Sequence, residues 1–215
     1  MQQHRPRLRS TGYILFATAL CYPAAARASA PEITIHLYDY SGIEPGALTE
    51  VQHSAGAILG QAGIDVRWRN CLVPLPGVAG NPACAADVND ATHFVVAVLP
   101  ENMSRKIATG SKQFGMAVLS PESRFPRNAY VFLDRIVELA QGEMASWTPV
   151  LATVIAHEVG HLLLGSNSHF SVGIMRSQWR AGEIKRGLQM GKLTFTPKQA
   201  EQLRDDVSRR TKATE

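Results

Sequence analysis

The sequence predicts an α+β fold with an α/β-like opening: five strands, a crossover helix, a long apolar helix bearing two histidines, and a C-terminal helix. Three observations predict it. After residue 30 the chain shows a strand pattern, a helical pattern and a second strand pattern. Three further strand-like runs follow before the next helical segment. Two later segments open on Thr-Pro, a helix-start signal.

The first strand, residues 33 to 40, alternates Ile33, Ile35 and Leu37 with polar neighbours. "SGIEPG" then breaks the chain. Residues 47 to 63 place Leu48, Val51, Ala55, Ile58 and Leu59 at helical spacing, and Gly63 can cap the end. Residues 64 to 70 alternate again, so the first two strands form a parallel pair with a right-handed crossover. "HFVVAVLP", from His93, is a continuous apolar run of the kind buried on both faces. Residues 114 to 120 and 128 to 134 supply the fourth and fifth strands. The clearest helix follows, with Thr148 as predicted cap, Pro149 in its first turn and Gly165 as its stop. A last helix starts at Thr196 and Pro197. Residues 176 to 195 show no assignable pattern. Residues 31 to 215 are expected to form one domain.

The first thirty residues are of another kind. Arg5, Arg7 and Arg9 precede a short apolar run, and "AARASA" closes on a small-x-small triplet. This is the order of a secretory signal peptide over residues 1–30, with cleavage expected after Ala30. The apolar run is about ten residues, and a bilayer span needs roughly twenty, so no stable membrane anchor is expected. The expected location is secreted or periplasmic. The leader holds four Arg and no acid, so 18 of the 22 basic residues remain against 18 acidic ones. A near-neutral mature chain gives no nucleic-acid signal. The basic residues of the last forty positions, Arg176, Arg180, Lys185, Arg186, Lys192, Arg209 and Arg210, read as a solvated face. Cys71 and Cys84 survive cleavage, and an even count in an exported chain favours a disulfide across the proline-rich loop between them. Such a loop contributes about 3 kcal/mol in the chain-entropy description. A zinc role for this pair is disfavoured, since no second Cys or His pair lies near it in sequence.

Residues 157 to 175 read "HEVGHLLLGSNSHFSVGIM". On a helix, His157 and His161 lie about 40° apart in azimuth and about 6 Å along the axis, so both can bind one ion. Glu158 lies too far round to join them but can reach a water on the metal and act as its base. Zinc needs a third protein ligand. His169 arrives after Gly165 stops the helix, and a helix plus a returning loop gives directions that one helix cannot. Leu151, Ile155, Val159 and Leu162 form an apolar stripe on the far side. His4, His36, His53 and His93 read as surface or core histidines, and Trp68, Trp147 and Trp179 as core or rim residues. Alone, HExxH also occurs by chance, and Met175 alone would be core filler.

Together, "HEVGHLLLGSNSH" and "GIM" resemble the metzincin clan of zinc endopeptidases, whose signature is HExxHxxGxxH followed by a methionine-bearing turn. His157, Glu158 and His161 match position by position; Gly165 falls one residue late and His169 two. The resemblance implies that Met175 is the Met-turn methionine, an apolar floor under the metal. It also implies a metzincin-like twisted, mixed five-stranded sheet whose fourth strand is an antiparallel edge lining the cleft. Here the histidine-bearing helix is the active-site helix. Glu183 is an alternative third ligand, as in zinc peptidases that take a glutamate from a following helix, and Asp205 or Asp206 is a remoter one.

The expected function is an exported zinc-dependent endopeptidase. It would have one catalytic Zn2+ on His157, His161 and His169, Glu158 as base, a peptide or protein substrate and a monomeric state. The leader's cleavage point leaves no room for an inhibitory pro-segment. The alternative is an exported zinc-binding domain on the same scaffold with little or no turnover.

Overall fold

The computed structural model describes residues 30–71, 84, 90–107, 110, 113–119, 124–165, 168–179 and 182–214. The predicted leader, apart from Ala30, lies outside the described residues, as do Ser120 and Ser166. Five strands and six helices follow in chain order. They are β1 (Glu32–Asp39), α1 (Pro45–Gln61), β2 (Asp65–Cys71), β3 (His93–Leu99), α2 (Glu101–Ile107) and β4 (Gly115–Val118). Then come β5 (Asn128–Phe132), α3 (Leu133–Gly142), α4 (Trp147–Leu164), α5 (Glu183–Gln189) and α6 (Pro197–Thr214).

The strands form one sheet in the order β2-β1-β3-β5-β4. β1 runs parallel to β2 and β3, with Ile35 opposite both Trp68 and Phe94. β5 is parallel to β3, and β4 alone is antiparallel, pairing Gly115 with Val131. The sheet is thus mixed, with its one reversed strand on an edge. β1 is an interior strand, flanked by β2 and β3 and buried on both faces: Ile33, Ile35 and Leu37 point one way, and Thr34 and His36, also buried, point the other.

Local chemistry explains most boundaries. Glu44 caps α1 by accepting from Ala47 N at 3.1 Å, and Pro45 takes the first helical position, so the helix begins two residues before the predicted start. Thr196 and Gln199 form a reciprocal capping box at α6: Thr196 N donates to Gln199 Oε1 at 2.8 Å, and Gln199 N donates to Thr196 Oγ1 at 3.3 Å. The predicted Thr148 cap is corrected. α4 starts one residue earlier, behind Ser146, and the Thr148 hydroxyl donates to Glu50 Oε1 at 2.9 Å, tying α4 to α1.

Three helices were absent from the sequence reading. α2 follows Pro100, whose carbonyl accepts from Met103 N and Ser104 N. α3 takes over directly at Phe132, where the predicted fifth strand was drawn through to Asp134. α5 lies in the unassigned stretch. Its first turn is held from a distance by Glu143, whose carboxylate accepts from Gly182 N at 3.0 Å and Lys185 N at 2.9 Å.

α4 is the centre of the fold. Leu151, Ile155, Val159 and Leu162 are buried as the stripe predicts, but so are ten further α4 residues, including Val150, Ala152, Val154 and Ala156. A helix apolar all round belongs in a core. By length and composition it could cross a bilayer, yet 78% of it is buried inside the fold. It packs against α1, α3, β4, β5 and α6.

The solvated-face reading of the basic tail fails at Arg210, which is 1% exposed. Its Nε donates to Asp206 Oδ2 at 2.6 Å and its Nη2 to Leu162 O at 2.7 Å. Its Nη1 donates to Ala91 O and Pro126 O. The guanidinium also stacks 5.1 Å from the centres of the Phe94 and Phe125 rings. One side chain of α6 thereby ties down the end of α4 and two loops. Arg176, from the same group, pairs with Glu183 at 3.2 Å.

Cys71 and Cys84 are joined as a disulfide, with Cα atoms 5.8 Å apart. The loop that they close lies outside the described residues apart from its two ends.

Candidate metal centre

His157 and His161 occupy successive turns of α4, and Gly165 ends the helix at φ 81°, a left-handed conformation that suits glycine. The chain turns back to place His169 beside them. His161 Nε2 lies 3.0 Å from His157 Nε2 and 3.1 Å from His169 Nε2. One ligand atom from each of the three falls within 4.8 Å of the others. The edge of a tetrahedral zinc site with bonds of about 2.0–2.1 Å is roughly 3.3 Å, so these separations suit a single ion.

Hydrogen bonds fix which nitrogens converge. His157 Nδ1 sits 2.8 Å from Ile174 O, and a carbonyl only accepts, so that nitrogen carries the hydrogen. In the neutral ring, Nε2 is then left with a bare lone pair. His161 Nδ1 is 2.7 Å from Ser168 Oγ, which frees its Nε2 for the same point. Lone pairs of neutral imidazoles facing one another at 3 Å repel unless a cation lies between them. The donor set fits a metal ion, with Ile174 and Ser168 as outer partners.

Electrostatics keep these rings neutral. Burial lowers His157 to about 4, against a smaller opposing effect of the Ile174 carbonyl. Burial, then the neighbouring His157 and His169, lower His161 to about 3. His169, the exposed member, is also lowered by partial burial. Few protons compete with a metal here at neutral pH.

Glu158 points from α4 to the sheet edge. It is 5% exposed, and burial raises its carboxyl to about 8 despite a backbone hydrogen bond from Ala117. Gly115 makes room for it: a Cβ there would lie 2.6 Å from Glu158 Oε1. Met175 is fully buried beneath the histidine helix. A Cβ on Gly160 would meet its sulfur at 2.6 Å and Phe195 at 2.9 Å, so only glycine lets that thioether approach. The loop that carries Met175 is closed by Phe170 N donating to Met175 O at 2.8 Å.

The three histidines and Glu158 line a cleft of about 960 Å³ together with Phe114, Gly115 and Ala117. Phe114 stacks on Trp179, ring centres 6.2 Å apart, and Trp179 meets His157 edge-on at 5.7 Å. The Trp179 indole N–H is buried and meets no hydrogen-bond partner among the described residues. Leu139 and Val154 add apolar lining, and Arg135, Glu143 and Arg176 add charged lining.

The alternative ligands lie elsewhere. Glu183 pairs with Arg176, Asp206 pairs with Arg209 and Arg210, and Asp205 is exposed on α6. Sequence reasoning missed Ser168 and the Ile174 carbonyl, whose roles appear only after the turn is closed. It missed Gly115 and Gly160 as well, though the glycine inside "HEVGH" was a readable sign of close approach. It also treated His36 and His93 as unremarkable. The structure places His36, Cys71 and Cys84 together as a second group of metal-capable donors among the described residues.

No protein-family model matches the chain, and no curated protein matches its sequence. Among solved structures it is similar to the crystal structure of archaemetzincin from Methanopyrus kandleri. The identity is 16%, the match covers 85% of this chain and 99% of that one, and the TM-score is 0.47.

Proposed function

We propose that this chain is an exported zinc metalloendopeptidase that hydrolyses peptide bonds of an extended peptide or protein substrate. The reading rests on one observation above all. The Nε2 atoms of His157, His161 and His169 converge in an open cleft that Glu158 also lines. A structural zinc site has no need of that carboxyl or that opening.

His157, His161 and His169 hold the ion. Zinc bound there supplies a Lewis acid for the scissile carbonyl and makes water nucleophilic near neutral pH. A cation on the histidines would favour the ionised form of Glu158, which accepts the proton of the attacking water and passes it to the leaving amine nitrogen. The Ala117 N–H steadies the carboxylate that performs both transfers. β4 presents its outer edge to the cleft, and an extended substrate pairs with it through main-chain hydrogen bonds. Met175 and Gly160 support the histidine helix from below. The same reading includes a cleaved leader at residues 1–30, a monomer, and neither a nucleic-acid partner nor a stable membrane anchor.

The test uses residues 31–215, zinc counted per chain, and cleavage of casein or a peptide library by the wild type and Glu158→Gln. The expected result is one zinc in the three-histidine site of both and a loss of about 10²–10⁴-fold in kcat/KM for the variant. Equal cleavage by both removes the catalytic assignment. Zinc binding without cleavage in either leaves the zinc-binding domain as the function.

A further inference from the structure

Behind the sheet, away from α4, lies a second set of donors. His36 is fully buried in β1, an interior strand, where an apolar residue would be expected. Its Nδ1 lies 3.8 Å from Cys71 Sγ, and its Nε2 lies 3.0 Å from His93 Nδ1. Parallel register explains the meeting. Thr34 is opposite His93 and Tyr38 is opposite Cys71, so His36 stands diagonal to both on the same face. Cys84 completes the group, and single donor atoms of His36, Cys71 and Cys84 all lie within 4.8 Å of one another.

We infer that His36, Cys71 and Cys84 form a redox-gated site for a soft divalent cation such as zinc, closed by the disulfide and opened by its reduction. With His36 donating from Nε2 to His93 Nδ1, its Nδ1 carries a lone pair toward the sulfurs. His93 is then the outer partner that fixes the tautomer, as Ile174 does for His157. Two thiolates and an imidazole are a zinc donor set, with one position left for water.

The chemistry balances as follows. The Cys71–Cys84 bond takes two electrons and two protons from an external dithiol, which closes to its own disulfide, leaving two thiols. Each thiol gives its proton to solvent as it binds the ion. Reoxidation passes two electrons from the sulfurs to an external disulfide, which takes up two protons and opens to its dithiol; the Cys71–Cys84 bond re-forms and the ion is released. The loop between residues 71 and 84 is thus stapled in either state, once by sulfur–sulfur and once by sulfur–metal bonds. This site needs nothing from the three-histidine centre.

Cobalt distinguishes the two sites, because only sulfur ligands give a thiolate-to-cobalt charge-transfer band. The 31–215 chain is titrated with cobalt as oxidised protein, and again after phosphine reduction and anaerobic desalting. The expected result is the band in the reduced chain only, one extra metal per chain over the oxidised form, and protection of both thiols from alkylation. His36→Gln should weaken cobalt binding in the reduced chain at least tenfold, without changing the metal content of the oxidised chain. A reduced chain with no band and no extra metal overturns the proposal, as does a band unaffected by His36→Gln. The wild-type comparison needs no variant, so it decides the question even where His36→Gln fails to fold.

Discussion

Glu158 and the histidines around it pull the metal-free protein in opposite directions as pH changes. The Glu158 carboxyl sits at about 8 in the fold against 4.5 for an ordinary glutamate. The folded chain therefore holds the extra proton between those values, and stability falls as pH rises from about 4.5 to about 8. His157 and His161, at about 4 and 3 against 6.5, do the reverse: the unfolded chain takes the extra protons, and stability falls as pH drops below about 6.5. Thermal melts of chelator-treated protein should show both limbs. Glu158→Gln should remove the alkaline one, gaining on the order of 2–4 kcal/mol at pH 8 and nothing at pH 4.5. A variant with the same gain at both pH values would show that burial of the charge is not the cause. This cluster was the most legible part of the sequence, because a separation of four residues on a helix is local geometry. His36 was illegible for the converse reason. Its neighbours Cys71 and His93 are brought to it by strand register, across 35 and 57 residues.

Among the elements, α4 depends on what lies against its glycine. Gly160→Ala drives a methyl group into the Met175 sulfur and the Phe195 ring, and should cost about 1–3 kcal/mol. Chemical denaturation measures that cost, and zinc affinity should fall with it as the helix shifts. A silent substitution would mean that the Met175 loop yields freely. α6 offers the complementary case. Arg210→Met leaves the buried Asp206 paired with the exposed Arg209, and should destabilise the chain by about 3–5 kcal/mol. A double change, Arg210→Met with Asp206→Leu, should recover much of the loss. Arg210 looked like a surface charge because composition cannot show that three backbone carbonyls and two aromatic rings await it. α3 was hidden because no glycine or proline separates β5 from it. By contrast, α1, α4 and α6 carried proline at or near their starts and were found. The antiparallel edge came from family likeness rather than from the four residues of β4, which are too few to show a pattern.

For the whole molecule, the disulfide and the candidate metal sites would act on stability at different places. Reduction of Cys71–Cys84 in metal-free protein should cost about 3 kcal/mol, read as a lower denaturant midpoint. Adding zinc to the reduced chain should return part of that, and adding it to the oxidised chain should stabilise through the histidine centre alone. Unchanged midpoints on reduction would mean that the loop is already ordered by other contacts. The order of the strands and of the three longer helices was readable because most of them have their own local period. The sheet's spatial order was not, since β1 pairs with β3 past β2, and β3 with β5 past β4, each through a long connection.

Arg210 also bears on how the chain is made. The last-turn carbonyl of the histidine helix receives its guanidinium partner only when residue 210 has left the ribosome, nearly fifty residues after Leu162. A nascent chain stopped short of α6 would hold its histidines on an unsecured helix end. Arrested chains ending near residue 196 should therefore be cut readily by added protease, and those extended past residue 214 should resist it.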